Sequence, residues 1–420
     1  MTASRRIFLR NSAFAMVGIG AVPLWLSRAV YAQDASGARR KKVLVAIFQR
    51  GAADGLNIVV PHGEPGYYSM RPTIAIPRPA AGVPKEDAVV DLDGHFGLHP
   101  MLAPLQTLWD SRQLAIVHAV GSPDPTRSHF DAQDYMESGT PGMKTSSSGW
   151  LNRALPPETG KPSPMRAIAL SPNLPLSLRG EKAAVALDSI DSFQIRDGSA
   201  SSLFESLYAG THDQVLNGSG RETFEAMSIL ESLRKTPYQP SPSADYPRGR
   251  FSNSMRQIAE LIKADVGVEV AFADIGGWDH HVNEVGPRPS TGPLANLLHE
   301  FGQTLAAFYR DLGDRMNDVV VVSMSEFGRT VRENGNRGTD HGHANCMFVM
   351  GGDIKGGRIY GEWPGLGPEQ LYEGRDLKLT TDYRAILGEL VVRHLGNRAL
   401  GDVFPGYSRP ESDFRAILRA

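Results

Sequence analysis

The chain predicts an α/β fold, doubly wound, with a mainly parallel sheet, helices on both faces and a small inserted hairpin region. Three observations carry this expectation. Short runs rich in Val, Ile and Ala recur at 43–48, 114–120 and 319–322, with the length and composition of buried strands. Helical segments alternate with them, which is the pattern of a parallel sheet covered on both sides. Neither an internal repeat nor a shift in charge marks a second domain, so residues 33–420 read as one large unit.

Residues 1–32 read as an address. Ser4-Arg5-Arg6-Ile7-Phe8-Leu9 matches the twin-arginine export pattern, and an apolar stretch from Ala13 to Leu26 follows. Val30-Tyr31-Ala32 places small residues where a signal peptidase reads. The apolar stretch is shorter than the roughly 20 residues that span a bilayer, so cleavage leaves no stable membrane anchor. The expectation is a periplasmic or secreted protein that meets the twin-arginine machinery already folded.

From there the elements follow in order. Val43 to Phe48 is the first strand, and the small-residue turn from Gln49 to Asn57 has Arg50 and Asp54 at its tips. Residues 60–96, rich in Pro and Gly, read as an excursion with a hairpin formed from Thr73–Ile76 and Ala88–Leu92. A helix is expected over Met101–Ser111 and a strand over Leu114–Val120. Ser128 then stands as N-cap of the next helix. Short strands at Ala167–Leu170 and Ala183–Leu187 lead to helices over Arg221–Arg234 and Ser252–Ala264. Val268 to Ala273 is another strand, a long amphipathic helix spans Leu294–Gly313, and a last helix spans Asp382–Leu395.

Composition narrows the function. The chain has 420 residues, 41% hydrophobic, with a formal net charge of -2, so no basic field of the nucleic-acid-binding kind exists. The single cysteine, Cys346, excludes an intramolecular disulfide framework and lies inside an apolar run, where an inert buried thiol is the expectation.

Chemistry concentrates in Asp318 to Gly352, which joins a β-branched run to a second apolar run through two polar clusters. Ser325-Glu326-Phe327-Gly328-Arg329 follows the first run, and Thr339-Asp340-His341-Gly342-His343 precedes the second. Asp274-Ile275-Gly276-Gly277-Trp278-Asp279-His280-His281 ends an earlier strand in the same manner. Ligands of open α/β sheets bind beyond the carboxyl ends of strands, and Asp and His together suit a divalent cation. Asp279, His281, Glu326, Asp340, His341 and His343 are therefore the candidate metal ligands, for zinc, calcium, manganese or magnesium. In an extended segment Asp279 and His281 share a face, with His280 on the other, and His341 and His343 share a face likewise. Asp340 would then serve a second site or hold a histidine.

Ser128 has two compatible readings, helix cap and nucleophile. Arg50, Arg127 and Arg329 are candidates for clamping an oxyanion. Arg50, Asp54, Arg127, His129 and His280 are read as binding residues, and Ser128 with Arg329 as the catalytic pair.

In order, the twin-arginine leader, RGAADGLN, RSHFDAQDYME, GGWDHH, SEFGRT and GTDHGHAN resemble the DUF1501 family, from about Val43 onward. The resemblance implies the fold of the alkaline phosphatase and sulfatase superfamily and a metal-activated nucleophile at a helix start. On it, Ser128 corresponds to the nucleophile, Asp279 and His281 to ligands of one metal, and GTDHGHAN to the late histidine ligand. Glu326 stands where that superfamily usually has an Asp-His pair. The sulfatase signature that is converted to formylglycine is absent. The expected activity is hydrolysis of a phosphate or sulfate ester on a small molecule or glycan. The alternative is a non-catalytic periplasmic binding or assembly protein that keeps the fold and an anion pocket.

Overall fold

The alternation of Val43-Leu44-Val45-Ala46-Ile47-Phe48 sorts the interior into two cores. Val43, Val45 and Ile47 face one and Leu44, Ala46 and Phe48 the other, as the two-residue period of a strand dictates. Such a strand has no polar face because both of its faces are covered. The computed structural model describes residues 40–144, 146–157, 162–190, 225–408 and 411–419. The predicted leader and the first four residues of the 221–234 helix lie outside the described residues.

In chain order the strands are β1 (Val43–Arg50), β2 (Val59–Val60), β3 (Val90–Asp91), β4 (Gly97–Leu98), β5 (Leu114–Gly121), β6 (Ala167–Leu170) and β7 (Val185–Leu187). They continue with β8 (Val270–Gly276), β9 (Val319–Ser325), β10 (Asn345–Gly351), β11 (Arg358–Tyr360) and β12 (Thr381–Asp382). One sheet has the order β11-β5-β10-β9-β1-β8-β6-β7, with β12 beside β5. Its pairs are parallel except at β10, which runs antiparallel to both β9 and β5.

Helices cover both faces, as the sequence predicts. Helices α2 (Arg250–Lys263) and α3 (Pro293–Leu312) pack Met255, Ile258, Phe301 and Leu305 on one side. On the other, α1 (His129–Ser138) and α4 (Tyr383–Glu389) contribute Met136, Tyr383 and Ile386. With β10 reversed, the loop from 326 to 344 leaves and re-enters the same edge of the sheet. That edge also carries the turn after β1, the turn after β8 and the segment from β5 to α1, because Arg50 pairs with Gly276, Gln49 with Ser325 and Val120 with Asn345.

Three expected elements differ. The hairpin region is a three-stranded sheet of order β2-β4-β3, and Thr73–Ile76 is not a strand. Ile74 and Ile76 are instead buried anchors, their backbone held by Asn57 and the Tyr67 hydroxyl. The 101–111 helix begins as a 3₁₀ turn, Pro100–Leu105, and becomes α-helical only over Gln106–Asp110. Pro104 sits inside it and has no N–H to give an α-helical bond. Helix α4 stops at Glu389 and continues as a π turn, Leu390–His394.

Candidate metal centre

Four chain segments converge at the carboxyl edge, and Arg329 ties three of them. Its guanidinium is fully buried. It donates to the carbonyls of Gly51, Ala52, Trp278 and Thr339 and to Asp279 Oδ1, the last at 2.6 Å. Ala52, which accepts the Arg329 Nε–H, has a φ of 62°, a left-handed conformation that is uncommon for alanine. Gly51 beside it has φ 117°, and a Cβ there would lie 2.8 Å from the Asp279 nitrogen. Only glycine lets the two turns run this close.

Each of three imidazoles has its Nδ1 held by an acceptor. His129 Nδ1 lies 2.9 Å from Glu326 Oε1, His281 Nδ1 lies 3.1 Å from Asp340 Oδ1, and His341 Nδ1 lies 2.9 Å from the Arg127 carbonyl. A carboxylate or carbonyl cannot donate, so Nδ1 carries the proton in each ring and the neutral Nε2 presents a lone pair. Those lone pairs point at one another. His341 Nε2 is 3.0 Å from both His129 Nε2 and His281 Nε2. Asp279 Oδ1 adds an anion 3.0 Å from His281 Nε2 and 3.3 Å from His341 Nε2, while Oδ2 lies 3.6 Å from His129 Nε2. One proton can bridge one nitrogen pair. The Arg329 guanidinium meets Asp279 Oδ1 and comes within 3.4 Å of His281 Nε2, and a divalent cation would meet the Nε2 atoms of His129 and His341 with the Asp279 carboxylate.

The spacing fits such an ion. Tetrahedral zinc with bonds of about 2.0–2.1 Å has ligand atoms roughly 3.3–3.4 Å apart, close to these values. His129, Asp279 and His341 are the three side chains whose ligand atoms lie together closely enough for one ion; His281 Nε2 stands beside them, near His341 and Asp279, without completing that set. Carboxylate–histidine pairs behind the ligands fix ring orientation and raise ligand basicity.

The electrostatics agree. The hydrogen bond that His129 Nδ1–H donates to the Glu326 carboxylate raises the His129 imidazole above its ordinary range. Burial works to raise the Asp279 carboxyl, but the Arg329 hydrogen bond and charge hold it below the usual range. Glu326, with only 1% of its surface exposed, is likewise held ionised against burial, by His129, Gln133 and backbone N–H groups. Burial lowers His341, keeping that imidazole neutral and able to ligate.

Asp279, His281 and His341 of the predicted ligands thus meet. Glu326 and Asp340 stand one layer back, each accepting from an Nδ1: for Asp340 this is the histidine-holding alternative, while Glu326 is placed behind the ligands instead of among them. His343 does not join them. Its Nε2 bonds the Ser122 carbonyl at 3.1 Å and its ring packs against Tyr372. The segment is not extended there. Arg329 and His341 form an isolated antiparallel bridge, and Gly342 then turns its N–H to the Gly328 carbonyl. A Cβ on Gly342 would lie 2.4 Å from the Arg329 carbonyl group.

Several binding residues have other work. Asp54 is 1% exposed and takes a bidentate ion pair from Arg71, so it faces inward rather than a ligand. Arg50 bonds Asp274, Glu137 and Gln133 and pins α1 to the sheet. Arg127 pairs with Glu373 and Asp376 through its side chain, and serves the site through its carbonyl. His280 is buried, its imidazole pushed down to about 4 by burial, and it stands outside the ligand set. Arg329 has its donors engaged, which leaves it a positioning residue instead of an oxyanion clamp. Ser128 caps α1 through a long bond, with Asp131 N at 3.5 Å from its Oγ.

His129 was expected to bind substrate and stands instead in the ligand set. The available signal was its partner Gln133, one helical turn on: both reach Glu326 Oε1, at 2.9 and 2.8 Å. Asn334, which bonds both the His281 carbonyl and Asp340, had no such signal.

A family model described as a protein of unknown function (DUF1501) matches residues 109–398. No curated protein matches the chain. Solved structures resemble it at low similarity. A sulfatase, PsFucS1 from Pseudoalteromonas sp., is 12% identical, with 98% of this chain and 81% of that one covered and a TM-score of 0.40. A protein of the alkaline phosphatase superfamily from Vibrio parahaemolyticus is 10% identical over 86% and 71%, with a TM-score of 0.32. The zinc complex of the C-terminal periplasmic domain of EcEptC from Escherichia coli is 9% identical over 75% and 74%, with a TM-score of 0.31. At these scores the chemistry of the site rests on its own geometry.

Proposed function

The chain belongs to the DUF1501 family, and from that premise we propose an exported, metal-dependent hydrolase of phosphate or sulfate esters. The observation that supports it most is the convergence of three Nε2 lone pairs and the Asp279 carboxylate, with every Nδ1 already held. Imidazole-rich sites favour zinc and its neighbours over calcium or magnesium. His129, Asp279 and His341 would hold the ion, with His281 beside them. When bound, it would supply Lewis acidity toward a phosphoryl or sulfuryl oxygen and favour an ionised nucleophile.

The remaining roles fall to side chains and backbone. Ser128 precedes His129, and among the described residues its hydroxyl makes only the long contact to Asp131 N. Attack by Ser128 Oγ would form the bond to phosphorus or sulfur as the ester's alcohol oxygen leaves, with the hydroxyl proton passing to solvent, because both His129 nitrogens are committed, Nδ1 to Glu326 and Nε2 to the ligand set. The start of α1, a helix of 10 residues, turns its first N–H groups toward an anion. Arg329 and Glu326 keep Asp279 and His129 in register rather than touching substrate. The twin-arginine leader supports delivery to the periplasm. Among the described residues no helix is long and apolar enough to cross a membrane.

The test is metal analysis of the purified chain, followed by assays on phosphate mono- and diesters and on sulfate esters. One zinc-type ion per chain is expected, together with turnover that a chelator removes and added metal restores. Metal-loaded protein that hydrolyses none of these esters would overturn the reading.

A further inference from the structure

We propose that the groove beside the metal centre is a second anion subsite, which selects substrates carrying a negative group in addition to the scissile ester. The inference rests on reading the metal centre as the place where that ester binds. A cavity of about 390 Å³ is lined by Arg332, Arg375, Asn334, Asp340, Met70 and Leu371, among others. Two of these residues connect it to the metal centre. Asp340 holds His281 Nδ1, and Arg375 donates to the His341 carbonyl at 2.9 Å.

The groove's hydrogen-bonding groups are unequally committed. Glu333, on its wall, accepts from Thr73 N, Thr73 Oγ1 and Ile74 N with its two oxygens. Asp340 Oδ1 accepts from His281 and Asn334. Asn334 Oδ1 accepts from Asn336 N and Gly338 N. The guanidiniums differ. Arg332 is exposed and makes no ion pair or side-chain hydrogen bond among the described residues. Arg375 bonds the His341 carbonyl and is ion-paired with Asp376 at 3.6 Å. Arg50, Arg71, Arg127 and Arg329, which surround the same loops, are ion-paired too, so among the described residues Arg332 is the uncommitted guanidinium of the group. An uncommitted guanidinium facing a cavity is a fork for a carboxylate, sulfate or phosphate group. Met70 and Leu371 offer apolar contact to the carbon skeleton that links the two charges.

Non-hydrolysable probes test this. Alkane-α,ω-disulfonates from ethane to hexane and methanesulfonate are titrated calorimetrically into the metal-loaded chain and into Arg332→Gln. At least one disulfonate should bind wild type about tenfold tighter than methanesulfonate, as one charge-assisted contact can give. Arg332→Gln, with an unchanged melting temperature, should erase that preference and leave methanesulfonate binding as it was. No preference for any spacing, or a preference that survives in Arg332→Gln, would overturn the subsite. Turnover plays no part in the titration. A failure of the hydrolase reading therefore shows as missing metal or missing hydrolysis, and a failure of the groove shows here.

Discussion

Two polar clusters lie along the same loops, and they have opposite chemistry. The outer one, His129, Asp279, His281 and His341, turns imidazole Nε2 atoms and a carboxylate toward one another, with Arg329 reaching only Asp279 and the His281 side of it. The inner one, Asp54, Arg71 and Glu284, is closed on itself. Arg71 is fully buried, bonds Asp54 twice and Asn57 once, and donates to the carbonyls of Thr330 and Val331. Both clusters contain aspartate after a strand, so residue type does not separate them. Access and unmet valence do. A buried ion pair with its hydrogen bonds complete holds loops in place, whereas an incomplete set of donors is where a ligand enters.

The largest effect should come from opening the closed cluster. Arg71→Met would leave Asp54 and Glu284 buried without their cation. Breaking one partner of such a pair costs about 3–5 kcal/mol, so denaturant unfolding should show a loss of that order. A loss under about 1 kcal/mol would mean that the cluster is wetter than its burial indicates and would blur the contrast.

Next comes the layer behind the ligands. Glu326→Gln and Asp340→Asn each weaken the acceptor that fixes an Nδ1 proton. Such changes typically cost about 10–100-fold in metal affinity, to be read by zinc competition with a chelator. His343→Ala should leave affinity unchanged, since that ring bonds Ser122 instead. Loss of zinc in His343→Ala, with Glu326→Gln and Asp340→Asn unaffected, would reverse the assignment of the two layers.

A smaller, pH-dependent effect belongs to Glu284. Burial, then the charge of Asp54, raises its carboxyl well above the ordinary range, so the folded chain keeps that proton where the unfolded chain releases it. Stability is therefore lost as pH rises from the unfolded value toward the raised folded one, by about 1.4 kcal/mol per unit of difference. Asp54 runs the other way: although burial opposes it, Arg71 holds its carboxyl low, and that stabilisation is lost only as pH falls through the folded value. Glu284→Gln keeps a donor and an acceptor without the titration. Its stability relative to wild type should be greater at pH 8 than at pH 4. An equal difference at both pH values would show that Glu284 carries no extra proton.

The same contrast explains what was legible in the sequence. Strand faces were, because β1 and β9 alternate between two cores with a period that needs no tertiary knowledge. Asp279, His281 and His341 were, because they flank strands whose ends must share an edge. Asp54 was misread because its partner Arg71 comes from the irregular 60–96 region, where no periodic signal places a side chain. His343 was misread because Gly342 breaks the extended period that was assumed for it. Arg329 was misread because its backbone acceptors, at Gly51, Ala52, Trp278 and Thr339, become neighbours only on folding. Cys346 was read correctly as buried, and burial pushes its thiol far up.

Ser128 is the residue in which the two kinds of cluster meet, and it carries the smallest expected effect on stability. An N-cap contributes about 0.5–2 kcal/mol, but a contact of 3.5 Å to Asp131 N is at the long limit of a hydrogen bond. Ser128→Ala should therefore cost no more than about 0.5 kcal/mol, and Ser128→Gly less. Metal content should not change, because the His129 ring is held by Glu326 and not by the cap. If Ser128 is the nucleophile, both variants lose ester turnover by orders of magnitude while still binding phosphate or vanadate. Ser128→Thr, which retains a hydroxyl, should keep part of the turnover. The measurement is turnover at matched folded and metal-loaded concentration, with melting temperature recorded beside it. Hydrolysis that persists in Ser128→Ala would return the residue to the structural side of the comparison, leaving the attack to water held within the ligand set.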